Sequence, residues 1–431
     1  MADNNIHTIG DGLQELFGAL SELRFEDADS AQPQEKAEVD ANKVLIDLWN
    51  GLKDKDDLLN LLNATAKVCF GDDARPYTAK QLNYNAYSSN NAKRYVQFQI
   101  PKKKPGEFRT IDAPNPTLKT IQQCLNHLFQ LLYTPNAAAV GFAKGRSVVS
   151  GAKVHLGQKY VYNIDLKDFF PSVASGRLFK RLQSKPFCLN TDVASLVTDL
   201  CCYTNAEGRN VLPQGAPTSP TITNFICERM DRKLLKLASA YNLRYTRYAD
   251  DITFSGMQNV FAENGRFCQS LRHIVEVEEH FTINTDKTRL CHRGERQEVT
   301  GLTVNDKPNV SRQYVKQLRA MLHNWELKGH DAAQNEFIKH YSPTKNVNGQ
   351  HHIENIIAGK LDYMKMVKGG NDSTYRNLNK RFENLIDKKP ADEKSTSATG
   401  IVATNPSQID EKSILLEFEE LLNLIETDNQ S

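Results

Sequence analysis

The chain has 431 residues, enough for two or three domains. Its hydrophobic fraction is 39% and no apolar run approaches the roughly 20 residues of a membrane helix, so a globular protein with a polar surface is expected, away from membranes. The formal net charge of +2 hides an asymmetry: residues 1–65 carry 5 Lys/Arg against 14 Asp/Glu and residues 391–431 carry 2 against 9, which leaves 47 against 29 in between. A basic body with acidic ends suits a polyanion such as nucleic acid, although basic domains also bind acidic proteins.

The N-terminus, MADNNIHTIGDG, lacks the basic start and apolar core of a signal peptide, so a cytoplasmic location is expected. Leu13, Leu16, Phe17, Leu20 and Leu23 fall at helical spacing and predict a helix over 11–25. Residues 26–42 are acidic and Ala/Gln-rich and read as a linker. Leu45, Trp49, Leu52, Leu59 and Leu62 predict a second helix over 44–62. Both read as packing helices without chemistry. An exposed apolar face on the first could instead bind a second copy of the chain.

Residues 95–100 alternate as a strand, and 101–114 read PKKKPGEFRTIDAP. A basic turn between two strands can clamp phosphates, with Lys102, Lys103 and Lys104 as point charges and Arg109 as a two-pronged fork; the plainer alternative is a solvated hairpin tip. An amphipathic helix follows over 114–133. The loop Gly141-Phe-Ala-Lys-Gly-Arg146-Ser147 suits a sugar–phosphate backbone, but it lacks the Gly-Lys-Ser/Thr ending of a nucleotide P-loop.

Residues 160–166 form a β-rich run that ends in Asp165, a position from which a carboxylate can reach a metal in a cleft. Capping of a following helix by Asp165 or Asp168 is the structural alternative. Leu212-Pro-Gln214-Gly215-Ala-Pro-Thr-Ser219-Pro220 leads into a helix over 221–237, with Ser219 as the expected N-cap and Pro220 at the first position. Residues 244–256 read RYTRYADDITFSG: two β-rich arms, 244–249 and 252–255, around Asp250 and Asp251. Two adjacent carboxylates repel unless a cation lies between them, and hard oxygen ligands suit Mg²⁺. Asp56-Asp57 and Asp72-Asp73 have no such frame, and an isolated pair of this kind reads as a solvated turn.

Helices are predicted over 311–327 and 352–367, in a region (306–390) with 15 Lys/Arg against 9 Asp/Glu. Lys316 and Arg319 share one helix face, fit for phosphates or simply solvated. Residues 388–407 read as a linker and 413–427 as an acidic amphipathic helix. The eight cysteines show no metal-ligand spacing, and buried free thiols are expected.

Asp165 with Phe169-Phe170, then LPQGAPTSP at 212–220, Tyr248-Ala-Asp-Asp251 and Asn284-Thr-Asp-Lys287 stand in the order of reverse transcriptase motifs. The chain resembles bacterial reverse transcriptases of the retron and defence-associated kind over residues 75–385. Val299-Thr-Gly-Leu302 before Val304-Asn305 is retron-like too. Gly151-Ala-Lys-Val-His155 departs from the retron pattern, which usually begins with Asn, and keeps a defence-type relative open.

The resemblance implies an α+β right-hand polymerase fold: an N-terminal helical extension (1–70), fingers (71–160), palm (161–305, with a fingers insertion), thumb (306–388), linker (389–411) and C-terminal amphipathic helix (412–431). It implies an RNA-directed DNA polymerase that copies a structured noncoding RNA into DNA from dNTPs, in antiphage defence. Asp165, Asp250 and Asp251 would be catalytic and hold two Mg²⁺ ions, with the Leu166 carbonyl as a further ligand. Lys104 and Arg109 would clamp the triphosphate, and Phe170 would exclude a 2′-hydroxyl. Gln214 and Gly215 would contact the incoming nucleotide and template, and Lys287 could give a proton to pyrophosphate. Leu302, with Arg146, Lys316 and Arg319, would hold nucleic acid. A homo-oligomer or an accessory defence protein remains open as a partner. The alternatives are a template-independent polymerase of the same fold and a catalytically weak RNA-binding scaffold; the intact aspartates speak against the scaffold.

Overall fold

The computed structural model describes residues 41–87, 91–101, 106–341 and 352–387. The helices expected at 11–25 and 413–427, most of the linker at 26–42, the linker at 389–411 and Lys102 to Lys104 lie outside the described residues. None of the described helices is long and apolar enough to cross a membrane.

The helix predicted over 44–62 is two helices, Ala41–Asn50 and Lys55–Phe70. The break has a local cause. The Asp54 carboxylate accepts from the amides of Asp56 and Asp57 and so starts a new helix, whose first turn takes both acidic side chains. Asp56-Asp57 is therefore a helix start. Both helices bury leucines, with Trp49, against the helix Pro116–Leu132. Trp49 Nε1 also donates to the Phe187 carbonyl at 2.9 Å.

Strands β1 (Tyr95–Pro101) and β2 (Phe108–Pro114) pair antiparallel. A second sheet contains β3 (Tyr160–Lys167), β6 (Arg244–Tyr248), β7 (Asp251–Gly256) and β8 (Thr282–His292); β4 (Tyr203–Thr204) and β5 (Asn210–Val211) form a separate small pair. The order of the second sheet is β6-β7-β3-β8, antiparallel throughout. Ile164, Leu166, Ile252, Phe254 and Tyr245 join its apolar side to the main core. The helix expected over 221–237 runs as Ser219–Ile226 and Glu228–Ala240, hinged at buried Cys227. Its N-cap is Thr218, not Ser219; the Ser219 hydroxyl donates instead to the Pro213 carbonyl at 2.7 Å.

A second core lies on the other side of β3. Helices Arg312–Lys328, Ile353–Lys368 and Ser373–Asp387 bury Leu318, Leu322, Trp325, Ile357 and Met364 with Val161, and with Leu302 of the short pair β9 (Glu298–Val299) and β10 (Leu302–Thr303). His330–Tyr341 is a further helix that packs on Arg312–Lys328. Five of the eight cysteines are buried as expected; Cys69 and Cys188 are exposed and Cys291 is half-buried.

The Gly151 to His155 segment is a packing joint. A Cβ at Gly151 would lie 2.7 Å from Val140 Cγ2, so a side chain there would require Val140 to shift. His155 is fully buried, with Nδ1 2.7 Å from Ser255 Oγ on β7 and Nε2 2.7 Å from Thr246 Oγ1 on β6. Burial, helped by Arg244, pushes its pKa down to about 3, so the ring is neutral in the folded protein. A lowered folded-state pKa means that unfolding takes up a proton below the ordinary histidine range near 6.5. The stabilisation is complete above that range and is lost as pH falls. Lowering the pH from about 7 to about 5 should cost about 2 kcal/mol through this residue. Urea titrations at both pH values should show that loss, and His155→Gln should flatten it.

Candidate active site

Asp165 stands near the end of β3, directly across from Asp251 on β7 and from Asn284 on β8. Directly opposed residues on antiparallel strands bring their Cβ atoms to about 5 Å, so two carboxylates from distant parts of the sequence share one edge of the sheet. The Leu166 amide donates to the Asp250 carbonyl at 3.2 Å, which ties the β6–β7 turn to β3. The two adjacent aspartates are not equivalent. Tyr248 pairs with Asp251, so Asp251 belongs to the strand and only Ala249 and Asp250 form the turn. All three carboxylates are partly exposed. Asp165 is held by Asn284 Nδ2 at 2.9 Å and by Lys287 Nζ at 3.1 Å. Asp168 lies in a turn with φ 44°, and the next helix, Ser175–Leu182, starts at Ala174 without a side-chain cap, so neither Asp165 nor Asp168 caps it.

The turn is strained and braced. Ala249 has φ 52°, a conformation costly for a residue with a Cβ. Its carbonyl accepts from Arg247 Nη1 at 3.2 Å. Arg247 is fully buried and forks onto Asp231 of the helix Glu228–Ala240, with Nε–Oδ1 and Nη2–Oδ2 both at 2.8 Å. Nη2 also reaches Asn224 Oδ1 at 3.2 Å, and the Tyr245 hydroxyl donates to Asp231 Oδ1 at 2.7 Å. The Arg247 backbone bonds Ala138 and Val140 on either side. Burial, the largest single influence, lowers the guanidinium pKa, but Asp231, Cys227 and Tyr245 together hold it well above the ordinary value. Neither Arg247 nor Asp231 stood out in the sequence; Arg247, three residues before Asp250, looked like one basic residue among many.

A second brace links β2 to the loop 212–218. The Asp112 amide donates to the Gln214 carbonyl at 2.7 Å, and the Gln214 amide reaches Asp112 Oδ2 at 3.4 Å. Gln97 Nε2 holds the other Asp112 oxygen at 2.7 Å. Gly215 has φ 134°, and a Cβ there would meet Ile111 Cγ2 at 2.8 Å and the Asp112 carbonyl at 2.9 Å. This close approach requires glycine. Asp112, another residue missed in the sequence, thus fastens the strand of Arg109 to Gln214 and Gly215.

Phe170 is half-buried against Phe169 (ring centroids 5.4 Å), which is itself buried on Phe281. Arg109 is half-buried on β2. Lys104 lies outside the described residues. Lys316 and Arg319 are both exposed on the helix Arg312–Lys328. Two residues have other work. Arg146 spends its guanidinium on backbone carbonyls, those of Ala139 at 2.7 Å, Pro135 at 3.1 Å and Asn136. It is a staple of its own loop. Leu302 is fully buried in the second core, so its side chain cannot grip a strand of nucleic acid.

Among the described residues, no group of three or more His, Cys, Asp or Glu side chains is gathered into a ready cage for a metal. The donor chemistry nevertheless fits a hard divalent ion. Asp165, Asp250 and Asp251 offer oxygens only, and register brings Asp165 and Asp251 side by side.

Removing one partner of a buried ion pair strands the other. Asp231→Ala should therefore lower stability by about 3–5 kcal/mol, whereas Asp231→Leu combined with Arg247→Met should recover most of it. Chemical denaturation of the single and double variants measures both values.

The family model for reverse transcriptase (RNA-dependent DNA polymerase) matches residues 100–327. The chain is similar to the retron Mx65 reverse transcriptase of Myxococcus xanthus, 38% identical over 251 residues, which covers 54% of this chain and 56% of that one. It is also similar to the retron Mx162 reverse transcriptase of Myxococcus xanthus, 38% identical over 263 residues (54% of this chain, 53% of that one). The retron Ec86 reverse transcriptase of Escherichia coli is 34% identical over 244 residues (54% of this chain, 70% of that one). The chain thus spans about half the length of the two Myxococcus proteins. With Asp165, Asp251 and Asn284 in register across an antiparallel sheet and a family model matched over residues 100–327, the chain belongs to the reverse transcriptase family and is of the retron type.

Proposed function

We propose that this chain is an RNA-directed DNA polymerase that extends a primer with dNTPs on a structured noncoding RNA template. The observation that carries the reading is the register of Asp165 against Asp251, with Asp250 in the adjoining turn, in a chain of this family. The three carboxylates would hold two Mg²⁺ ions, with the Leu166 carbonyl as a further ligand. Such ions, when bound, lower the pKa of a primer hydroxyl and offset charge on the leaving pyrophosphate.

The chain's own residues do the rest. The Arg247–Asp231 pair fixes where Asp250 and Asp251 project. Lys287 neutralises Asp165 in this state, and its exposed ammonium can turn to a departing pyrophosphate and give it a proton. Arg109, with Lys104, grips the triphosphate as a bidentate fork. The Asp112 brace keeps Arg109 in step with Gln214 and Gly215, which face the incoming nucleotide and template. Phe170 closes the floor beneath the sugar.

Residues 71–160, 161–305 and 306–388 serve in this reading as fingers, palm and thumb, and Lys316 and Arg319 meet the nucleic-acid backbone. A role in antiphage defence, with a second copy or an accessory protein as partner, follows from the retron resemblance. A cytoplasmic location goes with it.

Asp250→Asn combined with Asp251→Asn should abolish DNA synthesis and leave RNA binding near normal, because the basic residues that hold RNA lie elsewhere. Primer extension and filter binding on the same purified protein check this, and near-normal extension would sink the metal-site reading. Phe170→Ala should raise incorporation of ribonucleotides relative to deoxyribonucleotides, read as the ratio of kcat/KM for the two sugars; an unchanged ratio removes Phe170 as the gate.

A further inference from the structure

Both oxygens of Asp165 are already engaged. Oδ1 accepts from Asn284 Nδ2 at 2.9 Å and Oδ2 from Lys287 Nζ at 3.1 Å. The two partners differ in kind. Asn284 stands directly across from Asp165 in the β3–β8 ladder, so the backbone holds its short side chain in place. Lys287 belongs to an irregular stretch. β8 takes five residues, Asn284 to Arg289, to cover what β3 covers in two, Asn163 to Asp165. The surplus forms a bulge, closed by the Thr288 hydroxyl, which donates to the Asn284 carbonyl at 2.9 Å. In a regular strand Lys287 would lie about 10 Å along the ladder from Asn284 and on the opposite face of the sheet. The bulge takes up that distance and turns the ammonium back onto Asp165.

The pair is unequal in exposure too. The Lys287 side chain is 60% exposed and that of Asp165 only 13%. An ammonium on a flexible stem, mostly in water, leaves at small cost, because so open an ion pair is worth little. The carboxylate left behind is the less solvated partner and needs another cation.

We infer that Lys287 is a displaceable placeholder for a divalent cation at Asp165 Oδ2, so that its ammonium is set free for the triphosphate only once that cation is in place. The inference rests on the reading of Asp165, Asp250 and Asp251 as metal ligands and adds an order of events to it. Asn284 keeps Oδ1 throughout and fixes the carboxylate, so Oδ2 is the atom that changes partner. Lys287 and the cation compete for that one oxygen, and the proton donor is withheld from the leaving group for as long as Oδ2 holds it.

The test is a Mn²⁺ titration of the full chain without nucleic acid, with the free ion read by electron paramagnetic resonance. Oxygen ligands that suit Mg²⁺ also accept Mn²⁺. Asp250→Asn combined with Asp251→Asn gives the background binding. Lys287→Met removes the competitor and should tighten the carboxylate-dependent binding about two- to fivefold, the range for loss of a partly exposed ion pair. Lys287→Arg keeps a cation within reach of Oδ2 and should stay near the wild-type affinity. Lys167, exposed two residues along β3, forms no ion pair with Asp165, and Lys167→Met controls for loss of charge alone. If Lys287→Met leaves the affinity unchanged or weakens it, or if Lys167→Met tightens it as much, the placeholder is overturned. In primer extension Lys287→Met should lower kcat and also lower the half-saturating Mg²⁺ concentration; a rise in that concentration overturns the inference as well. A wild-type chain that binds Mn²⁺ no better than the Asp250/Asp251 double variant sinks the metal-site reading itself, and the placeholder with it, so the two failures are told apart.

Discussion

The candidate site depends on one buried ion pair. A charge taken out of water is expensive, and an arginine is tolerated at full burial only where its donors and its charge are both met. Arg247 meets that condition through Asp231, Asn224 and the Ala249 carbonyl, while its backbone joins the 138–140 loop. Two helices, a strand, a loop and a turn therefore converge on one residue. The turn could not hold Ala249 at its positive φ by local preference. Its geometry is imposed from below, and Asp250 and Asp251 inherit their positions from it.

The same economy changes the meaning of the chain's charge. Part of the basic complement is committed to the fold itself. Arg177, Arg229 and Lys233 surround buried Glu279, Arg94 serves the carbonyls of Asp199 and Cys202, and Arg146 serves its own loop. Counting lysines and arginines in the sequence overstates the number of free donors available to a polyanion. The exposed cations that remain, such as Lys316 and Arg319, matter more for that reason.

What could be read in advance follows a physical divide. The grouped carboxylates and the strand arms around them were legible because motif order and β-rich composition are local properties of the chain. The helices at 312–328 and 353–368 were legible through apolar spacing. The break after Asn50 was hidden because one carboxylate cap overrode a continuous apolar stripe. Leu302 and Arg146 misled because residue type alone does not tell whether a side chain faces solvent or its own fold. Asp112, Asp231 and His155 were invisible as structural residues: the Gln214 partner of Asp112 and both partners of His155 lie 91 to 102 positions away, that of Asp231 lies on another element, and no periodicity marks a buried polar contact.

Strand β3 is shared property. Ile164 and Leu166 belong to the main core, while Val161, on the same strand, belongs to the core built by the C-terminal helices. A strand with hydrogen-bonded neighbours on both edges and a different apolar core on each face has no free side about which it can hinge. Motion of the C-terminal helices must therefore be accommodated by repacking around Val161 or in the segments beyond β8. The strand that carries Asp165 is thereby a fixed datum, against which the two halves of the molecule keep their alignment.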